Sequence, residues 1–362
     1  MKILIIHATA GAGHKKAAEA IYNGLLRHTT HQAQMVDSLD YTNPFFKKSY
    51  PAVYVFFVTK APTLWGFFFW LVGLPFLLPL VRLIRRVYHA INAGALENFL
   101  KKEKFDVIIT THFMSAEISA YLKRTGQIQS KVICAVTDFD VHPIWINKGI
   151  DIYTGASDFT KERILSLGVN AEKVFVTGIP TDEQFSVNVE KSQMRKQLNI
   201  QTDVFTVLLA TGSFGIGPLE ELIEALKGGY QLLVICGHNR QLFEKLKPLA
   251  NNKVHIFGLV NNMHELMSAA DVMVTKPGGL SIAEALVKRL PMIFFSAIPG
   301  QETGNINVLK KYQVASDQGD VMDIINKLDD LSTHPQTYET LRGKLGVLSK
   351  PNAVKDIISL IA

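Results

Sequence analysis

Cysteine is nearly absent, with Cys134 and Cys236 the only two in 362 residues. Both fall in apolar, strand-like runs with no metal-ligand spacing around them, so they read as buried free thiols in a reducing compartment. Charge is also scarce. Asp, Glu, Lys and Arg make up 19% of the residues against 48% hydrophobic, which excludes a disordered chain. A secretory core is missing, because only four apolar residues separate Lys2 from His7. No nucleic-acid motif accompanies the formal charge of +6. The basic excess therefore suits an anionic membrane surface, and nucleic acid is not an expected partner. No short repeat or low-complexity tract is present, and nothing signals an oligomeric state.

What is there fills two domains with sizeable cores. Ile3–Ile6, Met35–Leu39, Val107–Thr111, Val132–Thr137 and Ile150–Gly155 read as strands. Helical segments separate them, including Lys15–Arg27 with Ala17, Ala18, Ile21 and Leu25 on one face. This alternation predicts a parallel sheet and an α/β domain over residues 1–180, with an insertion at about 41–100. The pattern restarts at Val207–Ala210, Leu232–Cys236, His255–Leu259, Val272–Thr275 and Met292–Phe295, which gives a second domain over 181–348. A last helix within 349–362 is expected to pack back on the first domain. The expected fold is α/β: two Rossmann-like domains, with a cleft where their strand ends face each other.

Chemistry is densest in Thr275–Asn305, TKPGGLSIAEALVKRLPMIFFSAIPGQETGN. Pro277 ends a strand, Gly278 and Gly279 allow a sharp turn, and Ser281 stands at a helix entry. A helix start of this kind presents bare N–H groups and a positive dipole end to an anion. Glu284, one turn further, suits a vicinal diol such as a ribose. Gln301, Glu302 and Asn305 follow the next strand with groups that suit sugar hydroxyls. Phosphate, ribose and sugar ends together point to a nucleotide-sugar, whereas the Pro-Gly-Gly turn alone is equally that of an ordinary βαβ unit.

Gly11-Ala12-Gly13-His14 forms a glycine turn after the first strand. It falls short of the full dinucleotide fingerprint, yet it puts a histidine with near-neutral basicity where the cleft is expected. Asp138 and His142 follow the fourth strand in TDFDVHPIW, and two such residues are too few for a metal. Gly212, Ser213 and Phe214 lie in TGSFGIG, a second glycine turn whose N–H groups suit a diphosphate. No Asp-x-Asp element stands where a diphosphate-bound metal would be needed, so no cofactor is expected.

PGG-x-S-x-x-EAL followed by PGQExGN resembles the monogalactosyl- and glucosyl-diacylglycerol synthases, relatives of the lipid-linked peptidoglycan GlcNAc transferase. GAGHKKAA and TDF-x-VH-x-x-W match the same family, so the resemblance touches nearly the whole chain. It implies a GT-B fold and an inverting transfer of hexose from a UDP-sugar to diacylglycerol. It also implies His14 as base beside Gly13, and acceptor-side roles for Asp138 and His142. Gly237 and Asn239 would line the donor pocket, and the backbone of Leu259 and Val260 would read the uracil. Ser281 replaces a common threonine. Two rival readings are a GlcNAc transferase with a polyprenyl-linked acceptor and a non-catalytic lipid- or nucleotide-binding protein.

The uncharged run Leu64–Val81, LWGFFFWLVGLPFLLPLV, is marginal for a span. Pro75 and Pro79 interrupt it, and a single crossing would put strands of one sheet on opposite sides of the bilayer. It reads as an interfacial, acceptor-facing insertion at the cytoplasmic membrane face, with a buried core segment as the alternative. Trp65, Phe67, Phe68, Phe69 and Trp70 would anchor it beside Arg82, Arg85 and Arg86.

Overall fold

Val- and Ile-rich runs in the first half become six strands: Lys2–His7 (β1), Gln32–Asp37 (β2), Val107–Thr110 (β3), Lys131–Ala135 (β4), Ile152–Gly155 (β5) and Val174–Val176 (β6). In this computed structural model, which describes residues 1–9, 11–212 and 217–362, they form one sheet in the order β2-β1-β3-β4-β5-β6. Every pairing is parallel. Alternation along β1 feeds two cores, as a parallel sheet covered on both faces requires. Leu4 and Ile6 enter one core, and Ile3 and Ile5 enter the other with Ala18, Ile21 and Ile357. β6 was not read from the sequence, because three residues carry no periodicity.

Helix α1 (Ala12–His28) begins three residues before the predicted Lys15, capped by the extended backbone of Gly11. His14 therefore lies inside its first turn. The C-terminal helix Ala353–Ser359 packs on α1. A Cβ at Gly24 would stand 2.2 Å from Val354 Cγ1, so this close approach requires glycine.

The insertion is helical: α2 (Pro44–Lys60), α3 (Pro62–Val72), α4 (Leu78–Asn92) and α5 (Gly94–Glu103), with α6 (Phe113–Arg124) following β3. The run Leu64–Val81 thus breaks between α3 and α4. Among the described residues, no single helix is long and apolar enough to cross a membrane. Only α2 and α3 together pass that test, and they bend by 115°.

The second sheet comprises Thr206–Ala210 (β7), Gln231–Ile235 (β8), Val254–Phe257 (β9), Val272–Thr275 (β10) and Met292–Phe294 (β11). Its order is β11-β10-β7-β8-β9, again parallel. Asp271, just before β10, accepts from Thr206 N at 2.7 Å and pairs with Arg195 at 2.5 Å and with Lys191. This buried carboxylate is fully engaged, which is the condition for a charge to sit there.

The chain divides into two units that are not continuous in sequence. The first is Met1–Glu183 with Ile298–Gly304 and Asn352–Ala362, and the second is Gln184–Ala297 with Asn305–Pro351. The Pro-Gly-Gln segment, expected in the second domain, therefore belongs with the first.

Candidate active site

Open parallel sheets bind ligands outside their strand ends where the order reverses. In the first unit that point lies between β1 and β3, and His14 sits over it. Its Nδ1 is 2.7 Å from the Thr111 carbonyl just past β3. A carbonyl only accepts, so Nδ1 carries the proton and Nε2 keeps its lone pair. The Thr137 hydroxyl lies 3.0 Å from the same nitrogen. Thr111 Oγ1 donates to the His14 carbonyl at 2.9 Å. His112 meets the ring edge-on with centroids 4.7 Å apart, and Trp145 lies 6.1 Å away. Burial lowers the imidazole pKa to about 4, against the Thr111 bond and with help from His7. At neutral pH this is an uncharged, oriented base.

Thr111 and His112 were not picked out from the sequence, and Thr137 and Trp145 stood in the TDF-x-VH-x-x-W pattern with no role assigned. For Thr111, His112 and Thr137 the signal available was polar residues placed just after the apolar strands β3 and β4.

Asp138, buried beyond β4, accepts from Gln301 Nε2 at 3.0 Å. Two site residues far apart in sequence thus meet within the first unit. Several neighbours depart from expectation. His142 uses both ring nitrogens structurally: Nδ1 accepts from Ile144 N at 3.2 Å, and Nε2 donates to the Phe69 carbonyl at 2.9 Å. It fastens the insertion to the loop after β4. Glu302, assigned to sugar, commits Oε2 to Ile298 N at 2.7 Å. Asn305 is fully buried and donates to the Pro277 carbonyl at 3.0 Å, so it clamps the Pro-Gly-Gly turn.

In the second unit the order reverses between β7 and β10, which pair directly. Their following turns carry Gly212 and Pro277–Gly279. Gly212 has φ +74°, a value that requires glycine. Ser213 and Phe214 lie outside the described residues. The helix after β10, Gly279–Val287, starts two residues before the predicted Ser281. Gly278 is its N-cap with φ −72°, no side chain caps it, and no acidic residue enters its first turn. Glycine is therefore not needed at Gly278 for backbone strain, and a Cβ there would meet nothing within 4 Å. Ser281 supplies a first-turn hydroxyl, and Glu284 stands half-buried one turn in. After β8, Gly237 takes φ +60°, and Asn239 caps the next helix through Leu242 N at 3.0 Å. Leu259 and Val260 follow β9, the former 62% exposed. Among the described residues no three His, Cys, Asp or Glu side chains gather as metal ligands.

The insertion splits the aromatic run. Phe67, Phe68 and Trp70 are exposed, whereas Trp65 and Phe69 turn inward. Helix α4 is inverted. Leu80, Leu83, Ile84, Val87, Tyr88 and Ile91 face outward. Arg85 pairs with Glu117, and Arg86 pairs with Glu97 at 2.6 Å. Of the three arginines expected at a membrane surface, only Arg82 is exposed, because the other two neutralise the buried Glu117 and the half-buried Glu97.

Residues 14–181 match the monogalactosyldiacylglycerol (MGDG) synthase model, and residues 193–350 match the glycosyltransferase family 28 C-terminal domain. A processive diacylglycerol beta-glucosyltransferase of Bacillus licheniformis is 29% identical over 84% of this chain and 79% of its own. The fold is similar to that of Acinetobacter baumannii MurG, with TM-score 0.58, 16% identity and coverage of 100% and 99%. It is also similar to that of a UDP-GlcNAc 2-epimerase from Neisseria meningitidis, with TM-score 0.60, 15% identity and coverage of 99% and 99%. These likenesses make the fold GT-B type.

Proposed function

We propose that the chain, whose residues 14–181 match the monogalactosyldiacylglycerol synthase model and residues 193–350 a glycosyltransferase domain, is a glycosyltransferase of that kind and moves a hexose from a UDP-sugar to the free hydroxyl of diacylglycerol with inversion. One observation carries this reading: the neutral His14 imidazole at the switch point of the first sheet, with Nδ1–H held by Thr111 so that Nε2 keeps its lone pair.

Nε2 takes the hydroxyl proton as the oxygen attacks the anomeric carbon from the face opposite UDP. The C1–oxygen bond to the diphosphate breaks, and its electron pair leaves with UDP. A single displacement turns an α-linked donor into a β-glycoside. The N–H groups at the Gly279 helix start, with its dipole, stabilise the departing charge without a metal. Glu284 receives the ribose hydroxyls, and Gln301 meets the hexose. Glucose is the hexose that the name of the Bacillus licheniformis relative favours. The exposed aromatic and aliphatic faces of α3 and α4 rest on the cytoplasmic membrane face, where a peripheral enzyme reaches its lipid acceptor.

The test pairs UDP-glucose, UDP-galactose and UDP-GlcNAc with diacylglycerol and with a polyprenyl-linked acceptor, reading products by mass analysis. β-Hexosyl-diacylglycerol is the expected product. Transfer of GlcNAc alone to the polyprenyl acceptor, or UDP binding with no lipid turnover, would overturn the assignment.

A further inference from the structure

Gly66, Phe69 and Gly300 bring the insertion against the segment that carries Gln301, and Gly73 brings it against His142. On α3, Gly66 and Phe69 fall at i and i+3, and Gly73, the C-cap of the helix, follows at i+7. A Cβ at Gly66 would stand 2.7 Å from Pro299 Cβ, and one at Gly73 would stand 2.7 Å from His142 Nε2. Between them the Phe69 ring lies 4.2 Å from the His142 ring. A Cβ at Gly300 would approach Phe69 Cδ1 of the same ring to 2.4 Å. Gly300 also has φ +90°, so its backbone needs glycine twice over. The next residue is Gln301, whose carboxamide donates to Asp138. Glu302 and Thr303 close the same turn onto Ile298 N and Gly300 N. A rigid turn is thus seated on a ring that belongs to the apolar insertion.

We propose that Phe69 is a positioning residue for transfer: packed against His142 and Gly300, it sets where the Gln301 carboxamide meets Asp138. The role rests on the assignment of Gln301 to the donor hexose. Phe69 is the point at which the lipid-facing helix touches the machinery, while Phe67, Phe68 and Trp70 on the same helix face away.

The test uses the full chain with micellar diacylglycerol, so that docking on a bilayer does not limit the rate. Phe69→Ala should lower kcat ~10-fold, since small misplacements of reacting groups are costly. Flotation with vesicles should stay unchanged, and Phe69→Leu should restore most of the rate. Gly300→Ala should lower kcat as well. In the double variant the colliding ring is gone, so the combined loss should be smaller than the product of the single losses. The Gln301 side-chain amide signal in nuclear magnetic resonance, assigned with Gln301→Ala, should move in Phe69→Ala.

Wild-type kcat with weakened flotation in Phe69→Ala would overturn the proposal, as would strictly multiplicative losses. Should Phe69→Ala not fold, Phe69→Leu and Gly300→Ala carry the same comparison. An unmodified chain that transfers no hexose would defeat the functional assignment alone. The Gln301 signal then decides the positioning role, and an unmoved signal refutes it.

Discussion

At the residue scale, His14 shows how burial trades basic strength for availability. An imidazole with a pKa of about 4 is a weaker base than an exposed one, but all of it is unprotonated at neutral pH. The sign follows directly. Burial disfavours the charged form, so acid must fall well below the usual histidine value of ~6.5 before the base is lost. The profile of kcat/KM against pH should stay flat on its acid side through pH ~6 and fall only toward the His14 value. An acid limb at an ordinary histidine pKa would show that the imidazole is solvated and not buried.

At the element scale, α4 turns Arg85, Arg86 and His89 inward and most of its large apolar residues outward, the reverse of a helix on a water-facing protein. Of the large apolar side chains exposed among the described residues, most lie between Phe45 and Ile91. Such a face wants a partner, and the membrane reading gives it one. Replacing Phe67, Phe68 and Trp70 by serine should reduce flotation with anionic vesicles severalfold and leave UDP affinity in place. Each large side chain withdrawn from water is worth roughly 1.5–3 kcal/mol when fully buried. Undiminished flotation would remove α3 from the membrane contact.

That this segment is apolar was legible in the sequence, and so was the break imposed by proline. Which rings turn inward was not. Phe69 differs from Phe68 only in what it meets, Gly300 and His142, and both are remote in sequence. Arg85 and Arg86 read as free cations until Glu117 and Glu97 are seen beside them.

At the scale of the whole molecule, alternating apolar runs gave away both parallel sheets, because strands buried on two faces have little freedom of composition. The glycine turns after β1, β7 and β10 marked the switch points for the same reason: sharp turns at strand ends restrict residue choice. The membership of Ile298–Gly304 was hidden. It continues directly from β11 in sequence, yet its contacts run to Phe69, Asp138 and Asp140 in the first unit. The buried Asn305 looked like a sugar ligand because a polar residue near a predicted site carries no mark of burial.

The central claim is that His14 takes the acceptor proton in hexose transfer. The most direct measurement is the rate of β-hexosyl-diacylglycerol formation by His14→Ala beside the unmodified chain, with UDP affinity measured on both. The account predicts a fall of ~10²–10⁴ in turnover, the range for losing general-base help, at nearly unchanged UDP affinity. Turnover equal to that of the unmodified chain would contradict it.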